Sequence, residues 1–468
     1  MARIIFLQRL WYEYGGPEII SAVLKQHSHE TDLLIGRKTD TFLKHIRDND
    51  IVAFSTMSGE HHWACNIALE LKNKKNILTV FGGPHPTYFP EMIEHSGVDV
   101  ICRGEGEFAF RDLADAIDKS SDYSNIPNLW VKHEGIIKKN EVRELVADLD
   151  ALPYSDREIY YRRHRSLRRS FLKPFMASRG CPFFCSFCFN EKLRTIYEGK
   201  GRHIRFRSPE NLIDEIKDVE GRYGLKNVYF ADDLFVLDPG WLKRFTDLYE
   251  KEVKKPFVCS SNVNTLNEEV ILMLKSAGCY SVSFGIETGD EKKRRELLNK
   301  NITNDQIEKV ACLLKKHRLK FMTFNMLGLP DETITDAFKT VELNIRIGTD
   351  YPRCSILTPY PGTKIAERMK KKITIDDVHS ADQQGEISFE VAEPRQLYNL
   401  HCFFQTAVIF PFLLGTIKRL VKFPPNILFK MWWALIYFFI FMRAEARDPV
   451  RTFIFAFKSA GLVFKKDA

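Results

Sequence analysis

No GxGxxG follows the first strand-like segment of this 468-residue chain, and GxxxxGK followed by Ser or Thr occurs nowhere in it. Both absences set aside dinucleotide and nucleoside-triphosphate binding. There is no disulfide framework either: Cys65, Cys102, Cys259, Cys279, Cys312, Cys354 and Cys402 are scattered singly among apolar residues, as reduced, buried thiols are. The start offers no signal peptide, because Met1-Ala-Arg-Ile-Ile-Phe-Leu runs directly into a strand-like segment; a cytoplasmic chain is expected. Acidic residues are scarce at the other end. From Cys402 onward ten Lys and Arg face three Asp and Glu, so nearly all of the formal net charge of +8 sits there. A basic, aromatic-rich tail suggests an anionic surface.

The remaining three cysteines are crowded together. Ser178-Arg-Gly-Cys-Pro-Phe-Phe-Cys-Ser-Phe-Cys-Phe-Asn190 places Cys181, Cys185 and Cys188 within eight residues, with Gly180 and Pro182 marking a loop. Three sulfurs cannot close a tetrahedral zinc site alone, and His203, the next histidine downstream, lies beyond a basic segment. They can hold three irons of a cubane cluster and leave the fourth open to another ligand.

Residues 1–140 alternate strand-like runs (around Ile4, Thr31, Ile51 and Asn76) with helical ones (Glu18 to Lys25, Trp63 to Lys72). That interval predicts an α/β, doubly wound, Rossmann-like parallel sheet. Its carboxyl-end loops would carry Ser55 and Thr56, Gly82 and Gly83, and Arg103-Gly-Glu-Gly-Glu107, glycine-containing stretches that let backbone approach a large flat ligand. His85, between two prolines, reads as a loop residue at the rim or as a ligand. Residues 141–172 read as a linker whose Arg162, Arg163, Arg165, Arg168 and Arg169 form a solvated face. Nucleic-acid binding would need a motif that is not there.

From Lys173 a second alternation supplies about six strands, the last placed at Cys354 to Gly362. In a partial (β/α)6 barrel of the TIM type over residues 173–370 the strand ends share one face. The cysteine loop, Asp232, Asp233, Asn262 and Glu287 would then converge. Alternatively the two aspartates cap the following helix and Glu287 faces solvent.

With these residues in place the chain resembles the radical S-adenosylmethionine (SAM) superfamily, in its class with an N-terminal cobalamin-binding domain. Cys181-Pro-Phe-Phe-Cys185-Ser-Phe187-Cys188 fits its CxxxCxxC loop, Phe230-Ala-Asp-Asp-Leu-Phe235 its SAM amino-group motif, and Gly285-Ile-Glu-Thr-Gly289 its ribose-contacting strand. Gly328-Leu-Pro-Asp-Glu-Thr333 and Pro359-Tyr-Pro-Gly-Thr363 match as well, and the resemblance covers about residues 1 to 370. It implies that Cys181, Cys185 and Cys188 ligate a 4Fe-4S cluster, that Phe187 lies against adenine, that Asp232 or Asp233 takes the methionine amino group, and that Glu287 takes the ribose. Many relatives carry an Arg on the strand where this chain has Ser260-Ser-Asn262. Ser55, Thr56, Gly82 and Gly83 resemble positions along the cobalamin nucleotide tail. No DxHxxG follows the first strand, which reads Gln8-Arg-Leu-Trp-Tyr-Glu-Tyr-Gly-Gly, so the lower face of cobalt has no obvious protein ligand.

The resemblance further implies reductive cleavage of SAM, an electron donor of the flavodoxin or ferredoxin type, and a small-molecule or lipid substrate. The expected reaction is cobalamin-dependent methylation of an unactivated carbon; a radical cyclase or oxidase, or a non-catalytic cobalamin or cluster sensor, are the alternatives. Beyond the barrel, residues 371–468 form a helical, basic, aromatic region. Apolar stretches at 402–417, broken by Pro411 and Gly415, and at 431–442, only twelve residues long, are flanked by Lys418, Arg419, Lys422, Lys430, Arg443 and Arg447. Two readings stand open: peripheral membrane contact through 402–468, or a helical cap on the open barrel.

Overall fold

The computed structural model describes residues 1–369, 374–375 and 391–444; Arg447 and the remainder of the tail lie outside the described residues. Two compact units divide the chain. One consists of residues 1–170 with 192–205, the other of 171–191 with the chain from 206 onward.

The first unit is built on strands β1 (Arg3–Gln8), β2 (Glu30–Ile35), β3 (Ile51–Ser55), β4 (Leu78–Gly82), β5 (Val100–Cys102), β6 (Leu129–His133) and β7 (Ile136–Lys139), in the order β2-β1-β3-β4-β5-β6-β7. The first five are parallel and almost wholly buried, which is why they read as continuous apolar runs. Helices α1 (Gly15–Gln26), α2 (His61–Lys72) and α3 (Glu107–Asp118) connect them. Strands β6 and β7 add an antiparallel hairpin that sequence reading missed. Its two-residue turn, Glu134-Gly135, has φ of +48° and +81°, the positive values that a hairpin with right-twisted strands demands.

The expected linker is packed into this unit. Tyr160 is fully buried and its hydroxyl donates to Gln8 Oε1 at 2.7 Å. Arg162 and Arg163 are exposed, as expected, and their guanidinium groups also donate to the buried Asp32 carboxylate of β2 at 2.7 and 2.6 Å. A buried carboxylate needs such partners. Arg165, Arg168 and Arg169 are exposed, as expected.

The second unit is a six-stranded parallel sheet in sequential order: β8 (Leu172–Phe175), β9 (Asn227–Phe230), β10 (Phe257–Ser261), β11 (Cys279–Glu287), β12 (Lys320–Leu327) and β13 (Tyr351–Ile356). Each of the helices α4 (Pro209–Tyr223), α5 (Pro239–Glu252), α6 (Glu268–Ser276), α7 (Asn304–Lys316) and α8 (Ile334–Ile347) starts at a side-chain cap: Ser208, Asp238, Asn267, Thr303 and Thr333 accept from the backbone N–H three residues on. Each such cap contributes about 1 kcal/mol. The core between sheet and helices is dominated by Phe175, Phe230, Phe245, Phe257, Phe284 and Phe321.

Strand β13 starts three residues before the position expected from sequence, and it is an edge. Pro352, which has no N–H to pair, is tolerated there for that reason. The open side is covered by α9 (Pro394–Ile409), where His401 Nε2 donates to the Cys354 carbonyl at 3.1 Å and Gln405 Nε2 to the Pro352 carbonyl at 3.1 Å. Residues four apart on a helix share a face, and they meet carbonyls two apart on a strand. Burial lowers the His401 pKa to about 4, so the ring is neutral with its proton on the carbonyl side. Leu397, Leu400, Phe404 and Ala407 pack the same helix onto Phe338 and Val341 of α8. The first apolar stretch of the tail is thus the helical cap. Replacing Gln405 by Ala strands a buried carbonyl, and thermal or denaturant unfolding of the Gln405→Ala protein is expected to show a loss of about 1–3 kcal/mol.

Candidate functional site

In the second unit the loop after β8 carries the three thiols, all half-buried. It is held from both sides. At its root, Asp232, just past β9 and buried, accepts from Ala177 N at 3.1 Å, Ser178 N at 2.5 Å and Ser178 Oγ at 2.6 Å. At its tip, Ser186 N and Oγ donate to the carbonyls of Leu298 and Leu297 at 2.9 and 2.7 Å, Ile365 N donates to Ser186 O at 2.9 Å, and Asn299 Nδ2 donates to Phe184 O at 2.6 Å. Cys188 N closes a turn onto Cys185 O at 3.0 Å, and Asn190 donates to the Cys188 sulfur through N and Nδ2, each at 3.5 Å.

Among the described residues no three His, Cys, Asp or Glu side chains form a group able to hold one metal ion. The three cysteines are nonetheless close enough to act on one another: the Cys185 pKa is raised to about 11 by burial above all, with Cys188 and Cys181 among the charges that add to it. A cubane places each sulfur on a different iron, so thiols that are neighbours without enclosing a single ion suit it.

Asp232 and Asp233 have separate jobs. Asp232 is spent on the loop's backbone, whereas Asp233 is exposed, accepts from Asn190 Nδ2 at 3.1 Å and acts electrostatically on Cys188. Asn262 is buried and engaged as a cap: its Oδ1 accepts from Asn264 N at 3.0 Å, and Thr265 returns the bond to its N–H. It lies just past the end of β10 with its Oδ1 engaged in that cap. Phe187 packs with Leu298, Met326, Leu329 and Leu357.

Glu287 closes β11 in the left-handed region, φ +67°, a conformation that a non-glycine residue adopts only under constraint. The constraint is Arg294, which is fully buried. Its Nε donates to the Ile286 carbonyl at 3.0 Å, one Nη to the Thr288 carbonyl and the other to the Ile302 carbonyl at 3.1 Å. The guanidinium thereby grips the backbone on either side of Glu287. The Glu287 carboxylate faces Lys300 Nζ at 2.7 Å, with both side chains about 9% exposed. Gly285 makes the room: a Cβ there would stand 1.9 Å from Glu287 Oε1 and 2.4 Å from Lys300 Nζ. Both members of the pair act electrostatically on Cys185. Sequence reasoning found Glu287 and missed Lys300 and Arg294, which come from the segment between β11 and α7 and fit no strand-end pattern.

In the first unit the strand order reverses between β1 and β3, and a ligand is expected outside the carboxyl ends at such a switch. There a narrow recess is lined by Gln8, Arg9, Ser55, Thr56, Glu60 and Trp63. Thr56 Oγ1 is buried with no protein partner. Gly83, φ +95°, brings its backbone so near that a Cβ would meet Thr56 N at 3.0 Å. An unsatisfied hydroxyl beside a close backbone approach fits the nucleotide tail of a cobalamin. His85 is not at a rim: it is buried in the short helix Pro84–Tyr88, stacked on His61 at 4.0 Å, with burial lowering its pKa to about 3. The third expected ligand loop is filled by the chain itself, since Glu105 N donates to Tyr197 OH at 2.7 Å and Arg205 pairs with the Glu105 carboxylate at 2.8 Å.

Comparison with known proteins agrees with both units. The family described as Radical SAM superfamily matches residues 176–344, and the B12 binding domain matches residues 15–114. An uncharacterized methyltransferase of Pyrococcus horikoshii is 31% identical over 74% of this chain and 76% of its own length. The anaerobic magnesium-protoporphyrin IX monomethyl ester cyclase of Rubrivivax gelatinosus is 24% identical over 64% of this chain and 55% of its own. Among solved structures, the radical S-adenosylmethionine methyltransferase TsrM of Kitasatospora setae, with cobalamin and a [4Fe-4S] cluster bound, superposes with a TM-score of 0.64 at 17% identity, covering 78% and 74% of the two chains.

Two carboxyls give the second unit a distinctive pH dependence. Burial pushes Asp232 up to about 6 against the donors on its oxygens. Glu332, buried and accepting from the backbone N–H groups of Gly328 and Leu329, is likewise pushed up by burial to about 7. A carboxyl whose folded pKa exceeds its unfolded value contributes stability that is complete below about pH 4 and lost as pH rises through the folded pKa. Relative to the parent, the Asp232→Asn and Glu332→Gln proteins are therefore each expected to lose less melting temperature as pH rises from about 4 to about 7 in a thermal-shift series.

Proposed function

Because the chain belongs to the radical SAM superfamily, in its cobalamin-binding branch, we propose that it methylates an unactivated carbon of a small-molecule or lipid substrate. The observation that carries this reading is the meeting, at the carboxyl ends of β8, β9 and β11, of three thiols, an exposed carboxylate and a buried ion pair that acts on one of the thiols. The enzyme takes a 4Fe-4S cluster, SAM and cobalamin. When bound, these supply one-electron cleavage of a carbon–sulfur bond and a transferable methyl group.

The chain's own residues have separable tasks. Cys181, Cys185 and Cys188 hold three irons and leave a fourth position open, while Asn190 steadies the last sulfur. Asp233, exposed beside Cys188, takes the methionine ammonium; Asp232 keeps the loop root in register. Glu287, fixed by Arg294, accepts from the ribose hydroxyls. Lys300 holds that carboxylate in place. Phe187 and its apolar neighbours exclude water from the adenine side. An electron donor of the flavodoxin or ferredoxin type completes the system. In the first unit, Ser55, Thr56, Gly82 and Gly83 line the cobalamin tail.

A cyclase or oxidase of the same branch is the second reading, favoured by the similarity to the Rubrivivax cyclase. Enzyme membership leaves no support for a sensor.

Anaerobic reconstitution with cluster, cobalamin, reductant and methyl-labelled SAM separates the two readings. Methylation predicts 5'-deoxyadenosine, S-adenosylhomocysteine and label in the product; 5'-deoxyadenosine with unlabelled product and no S-adenosylhomocysteine would establish the cyclase or oxidase. The Asp233→Ala protein is expected to keep its cluster absorbance and to bind SAM at least about tenfold more weakly, about 1.4 kcal/mol, by equilibrium dialysis.

A further inference from the structure

The second apolar stretch of the tail belongs to a helix longer than its twelve-residue run suggested. Helix α10 (Ile427–Ala444) has 18 residues, about 27 Å at 1.5 Å per residue. Its two faces differ in what they meet. One is packed within the second unit: Ile436, Ile440 and Ala444 contact Tyr351 and Met322, Phe429 stacks edge-on against Phe403 at 4.8 Å, and Trp432 Nε1 donates to Thr406 Oγ1 at 2.9 Å. Near its end, Tyr280 OH donates to the Arg443 carbonyl at 2.9 Å. The other face carries Leu428, Met431, Leu435 and Phe439, spaced three or four residues apart and 50–69% exposed.

This is not the scattered apolar exposure of an ordinary surface. Residues 410–444 hold nine of the seventeen large hydrophobic side chains exposed among the described residues, Phe412 at 80% and Phe423 at 58% included. Between Pro394 and Ala444 there is no acidic residue, while Arg419, Lys422, Lys430 and Arg443 are exposed. An apolar stripe set in a surface of one sign complements a layer that is apolar inside and negative at its boundary. The helix is long and apolar enough to cross a bilayer, but its packed face favours a seat in the membrane plane, because a spanning helix would have to abandon Tyr351, Phe403 and Thr406.

We propose that α10 docks this enzyme in the plane of an anionic phospholipid membrane, with Leu428, Met431, Leu435 and Phe439 entering the lipid and Lys422, Lys430 and Arg443 at the headgroups. A peripheral seat of this kind gives the second unit access to substrates dissolved in the bilayer.

The reconstituted full-length enzyme, floated with vesicles of equal phosphatidylglycerol and phosphatidylcholine, is expected to rise with them, and to do so less at high salt, where headgroup attraction is screened. With phosphatidylcholine alone, or with the Leu435→Glu/Phe439→Glu protein, flotation is expected to fall roughly tenfold. Circular dichroism and cluster absorbance of that variant should match the parent, because both side chains point away from the unit. Four results would overturn the proposal: no flotation with either vesicle, and equal flotation with both; a concentration-dependent dimer abolished by Leu435→Glu, which would make a second copy the occupant of the face; and flotation only after removal of residues 445–468, which would make the chain's own end the occupant.

Discussion

At the end of β11 a carboxylate and an ammonium face each other at 2.7 Å, nearly out of reach of water, and the candidate SAM site is arranged around them. Taking two charges out of water is costly, and removing either partner alone leaves an uncompensated buried charge, a loss of about 3–5 kcal/mol. Such a pair persists where its position matters. Here the backbone of Glu287 is twisted into a disfavoured region, Arg294 grips the carbonyls before and after it, and Gly285 leaves the space that both side chains fill. A carboxylate fixed so firmly arrives at its ligand already oriented, and orientation settled during folding is not charged again on binding.

The same economy of fixed parts runs through the cysteine loop. A loop of this kind has little regular structure of its own, so its shape comes from what holds it: Asp232 at the root, the carbonyls of Leu297 and Leu298 at the tip, and Ile365 from the far end of the sheet. The parallel order of β8 to β13 makes this convergence unavoidable, because every carboxyl end lies on one side. An incomplete barrel leaves an edge strand with unpaired carbonyls. Helix α9 answers that problem with His401 and Gln405 where another strand would otherwise be needed.

Much of this was legible in the residues. The CxxxCxxC spacing, the apolar runs of buried parallel strands and the polar residue after each strand are local patterns, and local patterns survive without coordinates. What escaped has a physical reason in each case. Lys300 and Arg294 sit in the segment between β11 and α7, where no periodicity relates a residue to a strand end. Asp232 and Asp233 are neighbours in sequence, and only the backbone path decides which turns inward. Asn262 followed three residues later by Thr265 is a capping signal, and it competed with the strand-end pattern for the same residue. The ion pairs of Arg162 and Arg163 went unseen because their partner, Asp32, is 130 and 131 residues away. His85 was read as a rim residue from its flanking prolines, yet those prolines start and shape a short buried helix.

The central claim is that the loop after β8 holds a cluster with one iron left for SAM. Mössbauer spectra of the enzyme reconstituted anaerobically with iron-57 test it most directly. One iron of a four-iron cluster, about a quarter of the signal, is expected to change its isomer shift when SAM is added while the other three keep theirs. Four irons indifferent to SAM, or a protein that retains zinc and no cluster, would contradict it.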